Sequence, residues 1–313
     1  MTESQAIHHH ERGQQLQAAG DHTQAITEFA QAATWFEEAE GEQSADLANV
    51  LMDYTDSLLA LCHYAEAEQT ARRAHTIFTA VADQLDAATR AQLLPRANGL
   101  LGRSLRELGR YEEASGPLQT AMRESSEQEL PTHLNEYGIL CKYWGKYEDG
   151  ERAYLRALHM LEEQYGKESL ETATLYHNLG GLEHQRGNFV KGEPLARKAY
   201  EISRDALGED HEKTLADAVA WGGLLDGLDR QAESLPIYRR ALAYYETRFG
   251  PVHFEVAATL NNLGMAEAAQ GNFVEAERTL QRCLDIKRKL FGEQHPEVLL
   301  TQQNLATLQQ VLA

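Results

Sequence analysis

No lysine occurs before Lys142, proline is held to seven residues, cysteine to three, and no apolar run approaches the length of a membrane span. Each scarcity excludes something. A spanning helix needs about 20 consecutive apolar residues, so none is expected. The start Met1-Thr2-Glu3-Ser4-Gln5 lacks the basic and apolar regions of a signal peptide, and a cytoplasmic location is expected. Cys62, Cys141 and Cys283 are odd in number, scattered and outside any CxxC pattern, which reads as reduced structural residues and not as a disulfide framework. Positive charge is short as well: residues 1–129 carry 21 acidic and 9 basic side chains, and the whole chain has a net charge of -19. Such a surface repels phosphate backbones and anionic lipid heads, so neither nucleic acid nor membrane is an expected partner.

Also missing is a Pro/Gly/Ser-rich linker, although 313 residues exceed the size at which one globular core stops growing. A solenoid escapes that limit by growing along one axis. No segment alternates apolar and polar residues, and the composition favours helices nearly throughout.

What is present is an echo at 42 residues, in Asn178-Leu179-Gly180, Asn262-Leu263-Gly264 and Asn304-Leu305-Ala306. Aligned on its last position, a first column of small residues runs Gly13, Thr55, Gly102, Gly138, Gly180, Gly222, Gly264 and Ala306. A second reads Ala25, Ala67, Ala114, Gly150, Gly192, Ala232 and Ala276, and a third Ala32, Ala74, Ala121, Ala157, Ala199, Ala241 and Cys283. Helices approach closely only over small side chains, so the columns mark where a helix A meets a helix B. The third column is spaced 42, 47, 36, 42, 42 and 42, so the array is regular from about residue 130 and irregular before it.

Turns fall between the columns. Gly20, Gly109, Gly145, Gly187 and Gly271 end helix A, and Gly166, Gly208, Gly250 and Gly292 end helix B. Pro117, Pro194 and Pro236 are expected in the first turn of their helix B, where backbone N–H groups lack helical partners.

These small-residue columns resemble the tetratricopeptide repeat, lengthened from its usual 34 residues by about one turn in each helix of the pair. Leu260-Asn261-Asn262-Leu263-Gly264, Gly271-Asn272-Phe273-Val274-Glu275-Ala276-Glu277 and Phe291-Gly292-Glu293-Gln294-His295-Pro296 are similar to the repeats of kinesin light chains. The likeness is close over about 130–308 and general over 1–129. No heptad segment accompanies it, so motor function is not carried over; free-standing arrays of this type occur widely in bacteria. The resemblance implies an all-α, right-handed α-α superhelix of about seven helix pairs and a C-terminal capping helix. Its expected divisions are drifted pairs over 1–129, regular units over 130–294 and the cap over 295–313, in one continuous solenoid.

In such a superhelix the A helices line a concave groove. Its exposed positions fall three before, one after, and four or five after the small residue of the first column. They give Gly99, Arg103, Arg106 and Glu107, then Asn135, Ile139, Lys142 and Tyr143. Next come His177, His184 and Gln185, then Val219 and Asp226, then Asn261 and Met265. Arg103, Arg106 and Lys142 form a basic stretch on an acidic chain, while Arg106 could equally pair with an acidic neighbour. Asn and Gln can hydrogen-bond a partner's backbone, and cations supply charge complementarity. The groove then turns small and apolar toward its C-terminal end. The expected partner is a protein or peptide with an acidic group beside an apolar anchor. The carboxylate clamp that holds chaperone C-termini is missing its Lys and Asn, so those are not expected ligands.

No catalytic or metal motif appears. His211, His253 and His295 recur at 42 residues on helices too far apart to share an ion and read as repeat punctuation. Cys283 sits in a packing column. The expectation is a non-catalytic interaction scaffold without a cofactor. Two alternatives are a peptide-sensing regulator acting through a second protein, and a self-assembling element joined through Leu299, Leu300, Leu305, Leu308, Val311 and Leu312 of the last helix.

Overall fold

The computed structural model describes residues 2–293 and 295–312, and every regular element among them is helical. Two compact units, Met1–Ala157 and Leu158–Ala313, divide the chain. The first holds α1 (Glu3–Ala18) and α2 (His22–Glu40), α3 (Ala45–Ala60) and α4 (Tyr64–Val81), α5 (Ala87–Glu107) and α6 (Tyr111–Glu124), then α7 (Leu130–Trp144). The division falls inside α8 (Tyr147–Tyr165). The second holds α9 (Leu170–Gln185) and α10 (Phe189–Leu207), α11 (Glu212–Asp226) and α12 (Gln231–Phe249), α13 (Phe254–Ala269) and α14 (Phe273–Phe291), closed by α15 (Pro296–Leu312). In both, each helix packs on the next along the chain, and odd-numbered helices also touch the next odd one: α1 on α3, α3 on α5, α5 on α7, α9 on α11, α11 on α13.

The first column is the reason these pairs close. A methyl added at Gly13 would meet Phe29, at Gly102 Leu118, at Gly138 Tyr154, at Gly222 Tyr238 and at Gly264 Leu280, all within 2.4–2.8 Å. Each of those side chains stands sixteen residues further on, in helix B. Thr55 is the exception, and the residue sixteen after it is Ala71. Its hydroxyl is satisfied by Leu51 O at 2.7 Å and Thr70 Oγ1 at 2.8 Å. At Gly180 the partner is Ala196, and an added Cβ would lie 3.1 Å from the Ala196 backbone nitrogen.

The third column is buried without exception, Cys283 included, whose thiol donates to Ala257 O. In the second column one assignment is corrected. Ala232 is exposed, and the buried small residue is Ser234, whose hydroxyl donates to Asp226 Oδ1. Serine fits the packing because a nearby carboxylate accepts its proton. The prolines are also corrected: Pro117, Pro194 and Pro236 lie inside α6, α10 and α12, beyond the first turn, so each removes a helical hydrogen bond. The irregular spacing has a plain origin, since α5 has 21 residues where α3 has 16, and α6 has 14 where α2 has 19.

Seven residues after each small position the chain turns through left-handed backbone. Glycine supplies it at Gly20, Gly109, Gly145, Gly187 and Gly271, with φ between 72° and 80°. In the other two pairs Cys62 (φ 60°) and Asp229 (φ 58°) occupy the same place without that freedom. The recurring histidines are N-caps. His211, His253 and His295 each accept through Nδ1 from the backbone N–H two residues on, at 3.2 Å. His253 also stacks on Phe249 and His295 on Phe291.

The last helix is a cap. Leu305 and Leu308 are buried in a cluster with Leu280, Leu284 and Val298, which removes them from the residues expected to join two copies. Leu299 and Leu300 remain exposed, and the side chains of Val311 and Leu312 lie outside the described residues.

Candidate binding face of the odd helices

The columns that close the pairs use one face of each odd helix, which leaves another face to the expected binding residues. Tyr143, His184, Gln185 and Met265 are exposed; Arg103, Asn135, Lys142, His177 and Asn261 are half-buried. Gly99, Asp226 and the buried Arg106 do not belong with them. Gly99 is buried beneath His133, and Asp226 turns to α12, where its Oδ2 accepts from Tyr238 Oη at 2.6 Å.

In the first unit the basic stretch is largely internal. Arg106, only 9% exposed, donates to Glu136 Oε2 at 2.5 Å and to Glu107 Oε1 at 2.6 Å. Burial works against its charge, but the two carboxylates hold the guanidinium above its ordinary value. The expectation that Arg106 faces the groove is therefore corrected: an uncompensated buried cation would be costly, and the structure neutralises it. Arg103 reaches Asp56 Oδ1 at 3.1 Å and lies 3.8 Å from Glu136. Further along the same face Asp53, buried, accepts from His10, Gln14 and Arg96. Burial pushes its carboxyl up, but these partners bring it to about 2. Carboxylates on α3 and α7 thus join α1, α3, α5 and α7 in sequence.

Lys142 differs from its arginine neighbours. It forms no ion pair with any described residue, and its Nζ lies 4.9 Å from the centroid of the Tyr143 ring. Desolvation, with a smaller contribution from the Arg106 charge, holds its ammonium below the usual lysine range.

The second unit repeats the device with other residues. His177 Nδ1 lies 2.7 Å from Asp217 Oδ1, and Ser203 Oγ donates to Asp217 Oδ2 at 2.5 Å. Burial pushes the Asp217 carboxyl up, yet His177, Ser203 and Lys213 leave it below the usual range. His177 is thus a tie between α9 and α11 that still shows part of its ring to solvent. His184 meets Phe189 edge-on at 5.5 Å, and a methyl at Gly223 would touch only His184, at 3.5 Å. Met265 is 44% exposed, and Asn261 has a buried Oδ1 without a hydrogen-bond partner.

The acidic residues Asp53, Asp56, Glu136 and Asp217 are the partners of these arginines and histidines that sequence reasoning missed. A faint signal existed: Asp53 and Glu136 both stand two residues before the small position. Among the described residues no three His, Cys, Asp or Glu side chains gather as a metal set, and no helix is long and apolar enough to cross a membrane. A surface depression of about 480 Å³ lies along α10, not on the odd helices, and carries charges of both signs, including Arg197, Lys198, Glu201 and Asp205.

The tetratricopeptide repeat pattern matches residues 4–80, 171–247 and 255–311. Tetratricopeptide repeat protein 23 of Bos taurus is 27% identical over 210 residues, covering 66% of this chain and 46% of that protein. The chain therefore spans less than half the length of that relative. Among solved structures, the apo form of the quorum sensor NprR from B. thuringiensis superposes with a TM-score of 0.68 at 14% identity, covering 90% of this chain and 76% of that one. The kinesin light chain TPR-like repeats of Podosopora anserina give a TM-score of 0.51 at 17% identity over 63% of this chain and 96% of that one. These structural likenesses show the fold.

Proposed function

The chain belongs to the tetratricopeptide repeat family, and from that premise we propose that it is a non-catalytic scaffold that holds a segment of a partner protein or peptide on the odd helices within a unit. One observation carries the reading. The columns that pack the pairs repeat and, Ala232 and Ala306 apart, are buried, whereas several positions beside them stay open and differ from pair to pair, with Tyr143, His184, Gln185 and Met265 exposed. Packing explains the first set and does not require the second.

The partner segment carries an acidic group beside an apolar residue. Lys142 and Tyr143 support this in the first unit, and the exposed Met265 supports an apolar contact in the second. Selection from a random peptide library on the immobilised chain tests the reading. Enrichment of peptides pairing Asp or Glu with a large apolar residue is expected; enrichment of basic peptides, or none, contradicts it.

A further inference from the structure

We infer that Lys142 alone is the anchor for the partner's acidic group, that it takes a single carboxylate, and that Arg103 and Arg106 are not available to it. The inference rests on the odd-helix reading above and assigns its acidic contact to one atom, Lys142 Nζ. Along this face of the first unit the cations are not equivalent. Arg96 is paired with Asp53 and Asp56, Arg103 with Asp56 and Glu136, Arg106 with Glu136 and Glu107. Lys142 has no such partner among the described residues, although it is half-buried next to a buried guanidinium.

A partly desolvated charge without a counter-ion is unfavourable, and an incoming anion relieves it. The ammonium is a compact point charge with three donors, so it accepts one carboxylate without the two-pronged geometry that arginine imposes. A phosphate would bring up to two negative charges to one cation, with Glu107 and Glu136 already beside Arg106. The site therefore favours a side-chain or terminal carboxylate. Tyr143, 55% exposed beside Lys142, supplies the apolar wall for the neighbouring residue of the partner. The net charge of -19 opposes the approach of any acidic segment, so recognition depends on this short-range contact and not on long-range attraction.

The test uses the full chain with its lysines reductively methylated with 13C, which preserves their charge, and the Lys142 resonance identified by its loss in Lys142→Met. The probes are acetyl-Leu-Glu-Leu-amide, its Gln counterpart and its phosphoserine counterpart. The Glu peptide is expected to shift the Lys142 resonance saturably and to raise its titration midpoint, with the other two binding about tenfold more weakly, a difference of about 1.4 kcal/mol. A Lys142 resonance that ignores the Glu peptide, or tighter binding of the phosphoserine peptide, overturns the assignment. If the Tyr143 ring and the Met265 methyl respond to the Glu peptide while Lys142 does not, the anchor is wrong and the odd-helix reading stands. If none of the three responds to any peptide, both are wrong.

Discussion

Tyr154 lies over Gly138 so closely that a methyl on that glycine would stand 2.4 Å from the ring. The same relation, glycine in helix A and a large side chain sixteen residues on, joins Gly13 to Phe29, Gly102 to Leu118, Gly222 to Tyr238 and Gly264 to Leu280. Gly138→Ala should therefore destabilise the chain by about 1–3 kcal/mol, the usual range for overpacking. Gly116→Ala is the control: it is exposed inside α6 with nothing within 4 Å of its added methyl, and should stabilise by about 0.5–1 kcal/mol. Urea denaturation of both variants checks the pair, and equal effects would contradict the packing account.

Cys62 and Asp229 hold left-handed backbone where five other pairs have glycine. An L-residue in that region is disfavoured by about 1–2 kcal/mol, so Cys62→Gly and Asp229→Gly should each raise stability by up to that amount. Glycine's greater freedom in the unfolded chain offsets part of the gain. A lower melting temperature for either variant would show that the native side chain compensates for its backbone.

Arg106 and Glu136 should behave as a structural pair. Glu136→Gln leaves a buried guanidinium with only Glu107 to balance it, so the single variant is destabilised, and a double-mutant cycle with Arg106→Met should give a coupling of about 1–3 kcal/mol. Loss of partner binding in an Arg106→Glu variant would consequently report on folding, whereas Lys142 variants report on the face itself. A coupling indistinguishable from zero would mean the pair does not hold α5 to α7.

Much of this arrangement was legible in the sequence because packing repeats and charge pairing does not. Gly180, Gly222 and Gly264 announce their columns at a fixed interval, and the buried Ala199 and Ala241 follow from them. Ser234 was missed because a hydroxyl can fill a small apolar position once Asp226 accepts its proton. Arg106 was misplaced because its partner Glu136 lies 30 residues away on the next odd helix, where nothing in the local pattern points to it. The N-caps His211, His253 and His295 were recognised as punctuation, and their backbone hydrogen bonds supply the reason.

Stability should fall on mild acidification. Burial, foremost, makes His75, His133 and His253 harder to protonate than free histidine. A base with a depressed native pKa binds fewer protons folded than unfolded, so its contribution is full above the unfolded value of about 6.5 and is lost as pH falls below it toward the native value. The Asp53 contribution has the carboxylate sign, with a native pKa of about 2, and is lost only at far lower pH, below its unfolded value of about 3.9. The urea midpoint should therefore drop between pH 7.5 and about 5.5, and less steeply when the three histidines are replaced by glutamine. A flat or rising profile across that window would contradict the burial of these rings.

The central claim is that the partner lies on the odd helices. Its most direct test is the affinity, by calorimetry, of a library-selected peptide for two double variants. Tyr143→Ala with Met265→Ala alters the odd-helix face of each unit, while Val190→Ser with Val274→Ser alters exposed apolar positions on α10 and α14. The account predicts that the first pair weakens binding by at least about tenfold, or about 1.4 kcal/mol, and the second leaves it unchanged. Loss confined to the Val190 and Val274 variant would place the partner on the even helices and contradict the account.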